Sequence, residues 1–179
     1  MIFETDRLAV RPWTLDDVEA ALEMYGDVEV MRYLGRDGPG ATIGSVEEMR
    51  DRLERAIAKY PPNQKYIYAA VVFRESGQVI GTALLKPLEL SDGKSSLEEI
   101  EIGWHLRRSC WGLGFGTEIG LALIRHGFDV LELPALHAIA YPENVASLRI
   151  MQKIGMRHLG STDRYYGVVA EHYLIERES

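Results

Sequence analysis

The sequence predicts an α/β protein built on a mixed, mostly antiparallel sheet flanked by helices. Three observations carry that prediction. Strands outnumber helices, in the order β-α-α-β-β-β-α-β-α-β-β. Two apolar, β-rich runs at 66–73 and 78–88 are separated by Glu75-Ser76-Gly77, which reads as a hairpin. Strand–helix alternation is confined to the later part of the chain, whereas a doubly wound parallel sheet shows it throughout.

The elements follow in order. Residues 5–12 alternate as a strand, Leu8 and Val10 against Arg7 and Arg11. Thr14 reads as a helix N-cap with Asp17 in the capping-box place, ahead of a stripe of Leu15, Val18, Leu22 and Tyr25. Ser45 and Glu48 repeat that signal before Val46, Met49, Leu53, Ile57 and Tyr60, and Pro61-Pro62 stops the helix. After the hairpin comes a polar loop at 91–96. The strand at 98–106 then turns Ile100, Ile102, Trp104 and Leu106 one way and Glu99, Glu101, Gly103 and His105 the other. A glycine-rich turn opens a helix over about 116–130, and a short strand follows at 137–141. Asn144 caps a helix that Gly155 ends, with Val145, Leu148, Met151 and Ile154 as its core stripe. Strands near 157–165 and 168–176 close the order.

Composition bounds the function. The chain has 179 residues, which fits one domain over 1–179. Hydrophobic residues at 46% and charged residues at 26% argue for a folded chain rather than disorder. Lys and Arg number 20 against 27 Asp and Glu, net −7, which excludes a general nucleic-acid or anionic-membrane binder. The same balance leaves room for a local basic site and mildly favours an amine or cationic substrate. Cys110 is the single cysteine, so an internal disulfide or Cys-based metal site is not expected. The histidines at 105, 126, 137, 158 and 172 show no i,i+4 pair, and no zinc site is expected. No signal peptide or membrane-length apolar run is read, so the expected setting is the reduced cytoplasm.

The chemistry concentrates in two segments. The first is Glu101-Ile-Gly-Trp-His-Leu-Arg-Arg-Ser-Cys-Trp-Gly-Leu-Gly-Phe-Gly-Thr-Glu118, which runs strand, Gly112-x-Gly114-x-Gly116, helix. Glycines permit a tight turn whose N–H groups approach a ligand, and the following helix N-terminus adds its positive dipole end. Together they form an anion cradle suited to a pyrophosphate. A Walker loop would end in Gly-Lys-Ser/Thr, and this one ends in Phe115-Gly116-Thr117. A dinucleotide fingerprint would space its glycines Gly-x-Gly-x-x-Gly, early in a βαβ unit. A purely structural turn is the remaining alternative. Arg107 and Arg108 add positive charge where no acid occurs between Trp104 and Gly116. In the second segment, Asn144 and Ser147 lie three apart on neighbouring helix faces. By themselves they read as a cap and a surface serine.

Together these segments resemble the GNAT superfamily of acyl-CoA N-acyltransferases, and more closely its RimJ/RimL-type branch, which acetylates protein α-amines and assorted small amines. Thr5-Asp-Arg-Leu8 with Arg11-Pro12 is similar to that branch's opening strand, and Val28-x-x-Met31-x-Tyr33-Leu34-Gly35 to the segment after its first helix. Trp111-Gly-x-Gly-Phe-Gly-Thr-Glu118 resembles its CoA pyrophosphate loop, and Asn144-x-x-Ser147 through Lys153-Ile-Gly-Met156 its pantetheine-contacting helix. The resemblance implies acetyl-CoA as co-substrate, an amine acceptor (a peptide N-terminus or a small amine), and a branch in which homodimers are common.

By the same resemblance, the backbone of Gly112, Leu113, Gly114, Phe115, Gly116 and Thr117 holds the pyrophosphate. The backbone of Trp104, His105 and Leu106 pairs with pantetheine like an added strand. Asn144 bonds the pantetheine amide, and Ser147 sits near the thioester sulfur. Two departures stand out. Trp111 replaces the Arg or Gln that often opens the loop, and Met151 stands where many relatives carry a general-acid Tyr.

An amine attacks only when neutral, so a base is needed. Glu101 is the candidate base and Glu99 the runner-up. Ser147 is the candidate acid or orienting group, with Tyr141, Tyr165 or Tyr166 behind it. His105 shares the Glu101 face and reads as a surface strand histidine. A CoA-sensing domain that transfers nothing, and an enzyme acetylating antibiotics or polyamines, remain alternatives. The acceptor walls are expected around 35–43 and 91–96, with Arg36 and Asp37 as candidate contacts.

Overall fold

The computed structural model describes residues 1–34, 40–61 and 65–178. Gly35, Arg36, Asp37 and Pro62 lie outside the described residues. One eight-stranded sheet runs through the chain: β1 (Phe3–Glu4), β2 (Leu8–Pro12), β3 (Ile67–Phe73), β4 (Val79–Glu89), β5 (Ser95–Leu106), β6 (Ala135–Ala140), β7 (Arg157–Thr162) and β8 (Ala170–Glu176). Their spatial order is β1-β2-β3-β4-β5-β6-β8-β7, and every neighbouring pair is antiparallel except β5–β6. The predicted mixed, mostly antiparallel sheet and its central hairpin are therefore both present. The two-residue β1 is too short to carry a period in the sequence.

The helices are α1 (Val18–Tyr25), α2 (Val28–Met31), α3 (Val46–Lys59), α4 (Phe115–Arg125) and α5 (Val145–Lys153). The predicted caps form. Asp17 Oδ2 accepts from Thr14 N at 2.9 Å, Ser45 Oγ from Glu48 N at 3.1 Å, and Asn144 Oδ1 from Ser147 N at 3.2 Å. At four residues α2 is too short to show a helical period in the sequence. The helix expected over 116–130 is α4 with a π-type turn, His126–Val130, at its end. Leu15, Val46 and Val145 were assigned to buried stripes and are exposed instead. Each sits in or just before the first turn of its helix, where the apolar period has not yet turned onto the sheet.

Apolar packing divides between the two faces of the sheet. One face buries Ile100, Ile102 and Leu106 of β5 with Ile119 and Leu123 of α4, Met151 of α5 and Ile154 just after it. The other buries Ala70 and Val79 with Val18 and Tyr25 of α1 and Met49 and Leu53 of α3. The alternation read along 98–106 is thus real. Glu99, Glu101, Gly103 and His105 look toward the α1 side.

His105 corrects the reading as a surface histidine. Its Nδ1 lies 3.1 Å from the Tyr25 hydroxyl, which also meets Thr82 Oγ1 at 2.7 Å. Burial, with Arg52 and Lys86 nearby, drives its pKa down to about 3, so the ring is neutral. The sequence could not show that α1 would lie across this end of the strand.

Strand β5 is held along its length by β4, from Glu89↔Ser95 to Gly81↔Leu106. On its other side it meets β6 at one registered pair, Glu101↔His137. Beyond that pair the two strands part. Gly81 makes the β4–β5 fit possible, because a Cβ there would stand 2.4 Å from the His105 carbonyl oxygen. A backbone atom cannot swing aside. Gly81→Ala is therefore expected to cost about 3 kcal/mol, read as a lower urea midpoint at unchanged m-value.

Candidate active site

The loop between β5 and α4 has the geometry of an anion cradle. Gly112 and Gly114 hold φ of 74° and 85°, a region that side chains disfavour. No side chain caps α4, and its first intrahelical bond is Glu118 N to Gly114 O at 3.1 Å. The N–H groups of Phe115, Gly116 and Thr117 are therefore left without an intrahelical partner, at the positive end of the helix. Gly116 serves a different purpose. A Cβ there would lie 2.6 Å from Ile150 Cδ1, so it lets α5 approach α4. Leu113 is exposed and Phe115 buried.

Arg7 braces this loop. In the sequence it shows only as part of a strand motif. Its guanidinium pairs with Glu118 at 2.6 Å, donates to the Leu113 carbonyl at 3.0 Å, and lies over the Phe115 ring at 4.4 Å. Thr5 donates to the same carboxylate at 2.5 Å. Partial burial pushes the Glu118 pKa up, but these donors outweigh it and hold the group below its ordinary value of 4.5. Trp111 braces the loop from the other end, its indole N–H donating to the Leu106 carbonyl at 2.8 Å. That bond gives the departure at Trp111 a structural purpose.

The positive island expected at Arg107 and Arg108 is reduced by half. Arg107 pairs with Glu23 of α1 at 2.9 Å, so an acid distant in sequence cancels it. Arg108 remains exposed.

Where β5 and β6 part, Glu101 is buried with 8% of its surface exposed. Lys86, its cross-strand partner on β4, donates to Oε2 at 3.0 Å. Tyr166 donates to the same oxygen at 2.5 Å, and Lys86 also reaches the Tyr166 oxygen at 2.5 Å. No protein donor meets Oε1 among the described residues. Burial lowers the Lys86 pKa, but Glu101 and Tyr166 outweigh it, and the ammonium is held above its ordinary value. Burial, then Glu101, raises Tyr166, which stays a phenol. Tyr166 sits at φ 55°, an uncommon conformation for a bulky residue. Lys86 was not foreseen, although a lone lysine in the apolar run of β4 was a signal.

Glu99 is committed elsewhere. It accepts from Tyr165 at 2.9 Å and pairs with Arg164 at 2.9 Å. Burial and this carboxylate raise Tyr165 to about 12. Asn144 spends its Oδ1 on the α5 cap, which leaves its amide nitrogen as the group able to meet a ligand. Ser147 is half-buried one turn on. Tyr141 packs against Tyr33 at 6.1 Å, and Tyr33 donates to the Glu143 carbonyl at 3.1 Å. Met151 is buried in the core. The cradle thus follows the end of β5, Asn144 and Ser147 lie at the start of α5, and Glu101 sits on the opposite face of β5 from the α4–α5 core. Two cavities of about 670 and 310 Å³ lie elsewhere, one lined by Phe128 and Arg157, the other by Tyr60 and His126.

Similarity to known proteins gives this splayed sheet and its uncapped, glycine-led helix a class. A family model described as "Acetyltransferase (GNAT) domain" matches residues 7–157, and the chain belongs to the GNAT acetyltransferase family. It is 28% identical over 164 residues to the uncharacterized N-acetyltransferase YoaA of Bacillus subtilis, covering 92% of this chain and 87% of that one. A GNAT-family acetyltransferase structure from Bacillus anthracis superposes with TM-score 0.76 at 24% identity, over 97% of this chain and 96% of that one. The structure of AAC(6')-Ib with ribostamycin and coenzyme A superposes with TM-score 0.74 at 18% identity, over 96% and 94% of the two chains. Among the described residues no helix is long and apolar enough to cross a membrane, and no group of three or more metal-ligating side chains is found.

Two outcomes follow from the brace. Arg7→Met is expected to weaken CoA binding about three- to tenfold by calorimetry, since half-exposed ion pairs contribute about 1 kcal/mol. A depressed carboxylate stabilises the fold above its ordinary pKa, and that contribution is lost as pH falls through the native value. Glu118→Gln should therefore flatten the acid limb of stability below about pH 4.5 while the neutral-pH plateau drops.

Proposed function

We propose that residues 1–179 form a single N-acetyltransferase domain of the RimJ/RimL type. It would move an acetyl group from acetyl-CoA to a primary amine, a peptide N-terminal α-amine or a small-molecule amine, by direct attack in a ternary complex. The observation that carries this reading is Glu101. It sits at the one β5–β6 pair, with Lys86 and Tyr166 both on Oε2 and Oε1 left for an incoming N–H. The branch assignment draws on the opening motif Thr5-Asp-Arg-Leu8, whose Arg7 braces the cradle.

Acetyl-CoA, when bound, supplies the activated acyl group. The protein's part is to hold and to manage protons. The free N–H groups of Phe115, Gly116 and Thr117, with Gly112, Leu113 and Gly114, suit the pyrophosphate. Trp104, His105 and Leu106 offer a backbone edge beyond the point where β6 departs, and Asn144 an amide. Glu101 takes the amine proton through Oε1. Ser147 is the candidate to orient or protonate the leaving sulfur, since Met151 cannot. Tyr166 already shares its proton with Glu101 on the other face.

Two other readings have some support. Met151 at the usual acid position favours a domain that binds CoA and transfers nothing. The likeness to a structure holding ribostamycin favours an antibiotic acceptor. A free-thiol assay with acetyl-CoA and a panel of N-terminal peptides, polyamines and aminoglycosides separates all three. Amine-dependent thiol release supports the transferase, and CoA binding without turnover across the panel supports the sensor. Within the transferase reading, Glu101→Gln is expected to lower kcat about 10²- to 10⁴-fold near neutral pH. Unchanged turnover from pH 6 to 9 would remove Glu101 as the base.

A further inference from the structure

The face of the sheet that carries Glu101 also carries a second polar cluster, which the transfer described above leaves unused. His137 is the direct partner of Glu101 across β5–β6. Leu136 and Ala138, its neighbours on β6, lie in the same core as Ile100 and Ile102, so His137 and Glu101 share the opposite face. His137 Nδ1 lies 2.9 Å from Nε2 of His172 on β8, with the rings stacked at 5.2 Å and 23°. Tyr165 meets His172 edge-on at 5.3 Å. The charged and titratable groups around the two rings are Glu99, Arg164, Tyr165 and Glu101, with Lys86 and Tyr166 beyond Glu101.

Proton accounting gives this cluster a task. An alkyl amine is an ammonium near neutral pH. Its nitrogen forms a bond to the acetyl carbon, the carbon–sulfur bond breaks, and that electron pair goes to sulfur. Passing from –NH₃⁺ to the amide N–H, the nitrogen loses two protons. One neutralises the thiolate, and the other must leave the site.

We propose that the His137–His172 pair is the exit for that proton, which passes from Glu101 to His137 and out through His172. The inference rests on the transferase reading. Neighbouring strands lie about 4.8 Å apart, so the Glu101 carboxylate and the His137 imidazole stand side by side on one face; no direct hydrogen bond joins them, and in this scheme one water bridges them. Two neutral imidazoles in a hydrogen bond offer one donor and one acceptor, and the pair can take up and share a single proton. Burial lowers both rings, so they stand unprotonated at pH 7, while Glu99 supports and Arg164 opposes the imidazolium. Both rings are half-buried, at the boundary with solvent. In this scheme the pair touches no reacting atom and acts through Glu101.

The test measures thiol release from acetyl-CoA with the best amine of the panel, from pH 6 to 10. It compares wild type with His137→Asn, His172→Asn and His172→Ala, each first checked for wild-type CoA binding. The expected result is a fall in kcat of about tenfold or more at pH 7 with little change in KM. The deficit should shrink above the acceptor's own pKa, where the amine arrives neutral and no proton needs exporting. Added imidazole should restore His172→Ala. A deficit that is constant across pH, a change in KM alone, or unimpaired variants would overturn the exit. If His137→Asn loses CoA binding, the outer His172 variants decide. Wild type that binds CoA yet releases no thiol with any amine overturns the transferase reading instead, and the exit with it.

Discussion

The site depends on one constraint: β5 and β6 run parallel but meet at a single residue pair, Glu101 and His137. Parallel strands are held by evenly spaced, slanted bonds, and when the ladder stops the outer backbone groups of both strands need other partners. β5 survives the loss because β4 holds it for its full length. Its far end is fixed by the indole of Trp111 and runs directly into the glycine loop. Strand end and helix N-terminus thus lie at the two ends of one braced loop, with the Phe115, Gly116 and Thr117 N–H groups left without an intrahelical partner. Glu101 stands at the single β5–β6 pair, on the opposite face of β5 from the α4–α5 core.

Charge in this site is balanced locally, whatever the sum over the chain. Glu101 is paired with Lys86, Glu99 with Arg164 and Glu118 with Arg7. Arg107, which looked like spare positive charge, is paired with Glu23. Net −7 therefore describes the outer surface. It gives little support to a cationic acceptor, because these carboxylates already have cations. What distinguishes them is geometry: among the described residues no protein donor meets Oε1 of Glu101, whereas Glu99 holds a phenol and a guanidinium on Oε1 and the Ser96 hydroxyl on Oε2.

Periodicity and turn chemistry made most of the frame legible. The alternation over 98–106 gave the two faces of β5, and the caps at Ser45 and Asn144 directly precede α3 and α5, whereas Thr14 opens a 3₁₀ turn, Leu15–Asp17, ahead of α1. Resemblance of motifs, rather than pattern, singled out Asn144 and Ser147. Long-range pairing was not legible. Arg7 and Glu118 are 111 residues apart, and Lys86 and Tyr166 are 80 apart, so no local signal joins them. His105 was misjudged for the same reason, since its neighbours come from α1. The histidines were judged by their spacing along the chain, yet His137 and His172 meet because β8 lies beside β6.

The three glycines of the loop look like one motif but answer to two unrelated demands. Gly112 and Gly114 answer to torsion, and only the local backbone has a say in them. Gly116 answers to the girth of Ile150 on another helix. In a lineage of such proteins the first two would resist replacement whatever surrounds them. The third could drift to alanine or serine wherever position 150 shrank in step, so the two sites would vary as a linked pair. A search that demands all three glycines would then overlook chains whose cradle is intact.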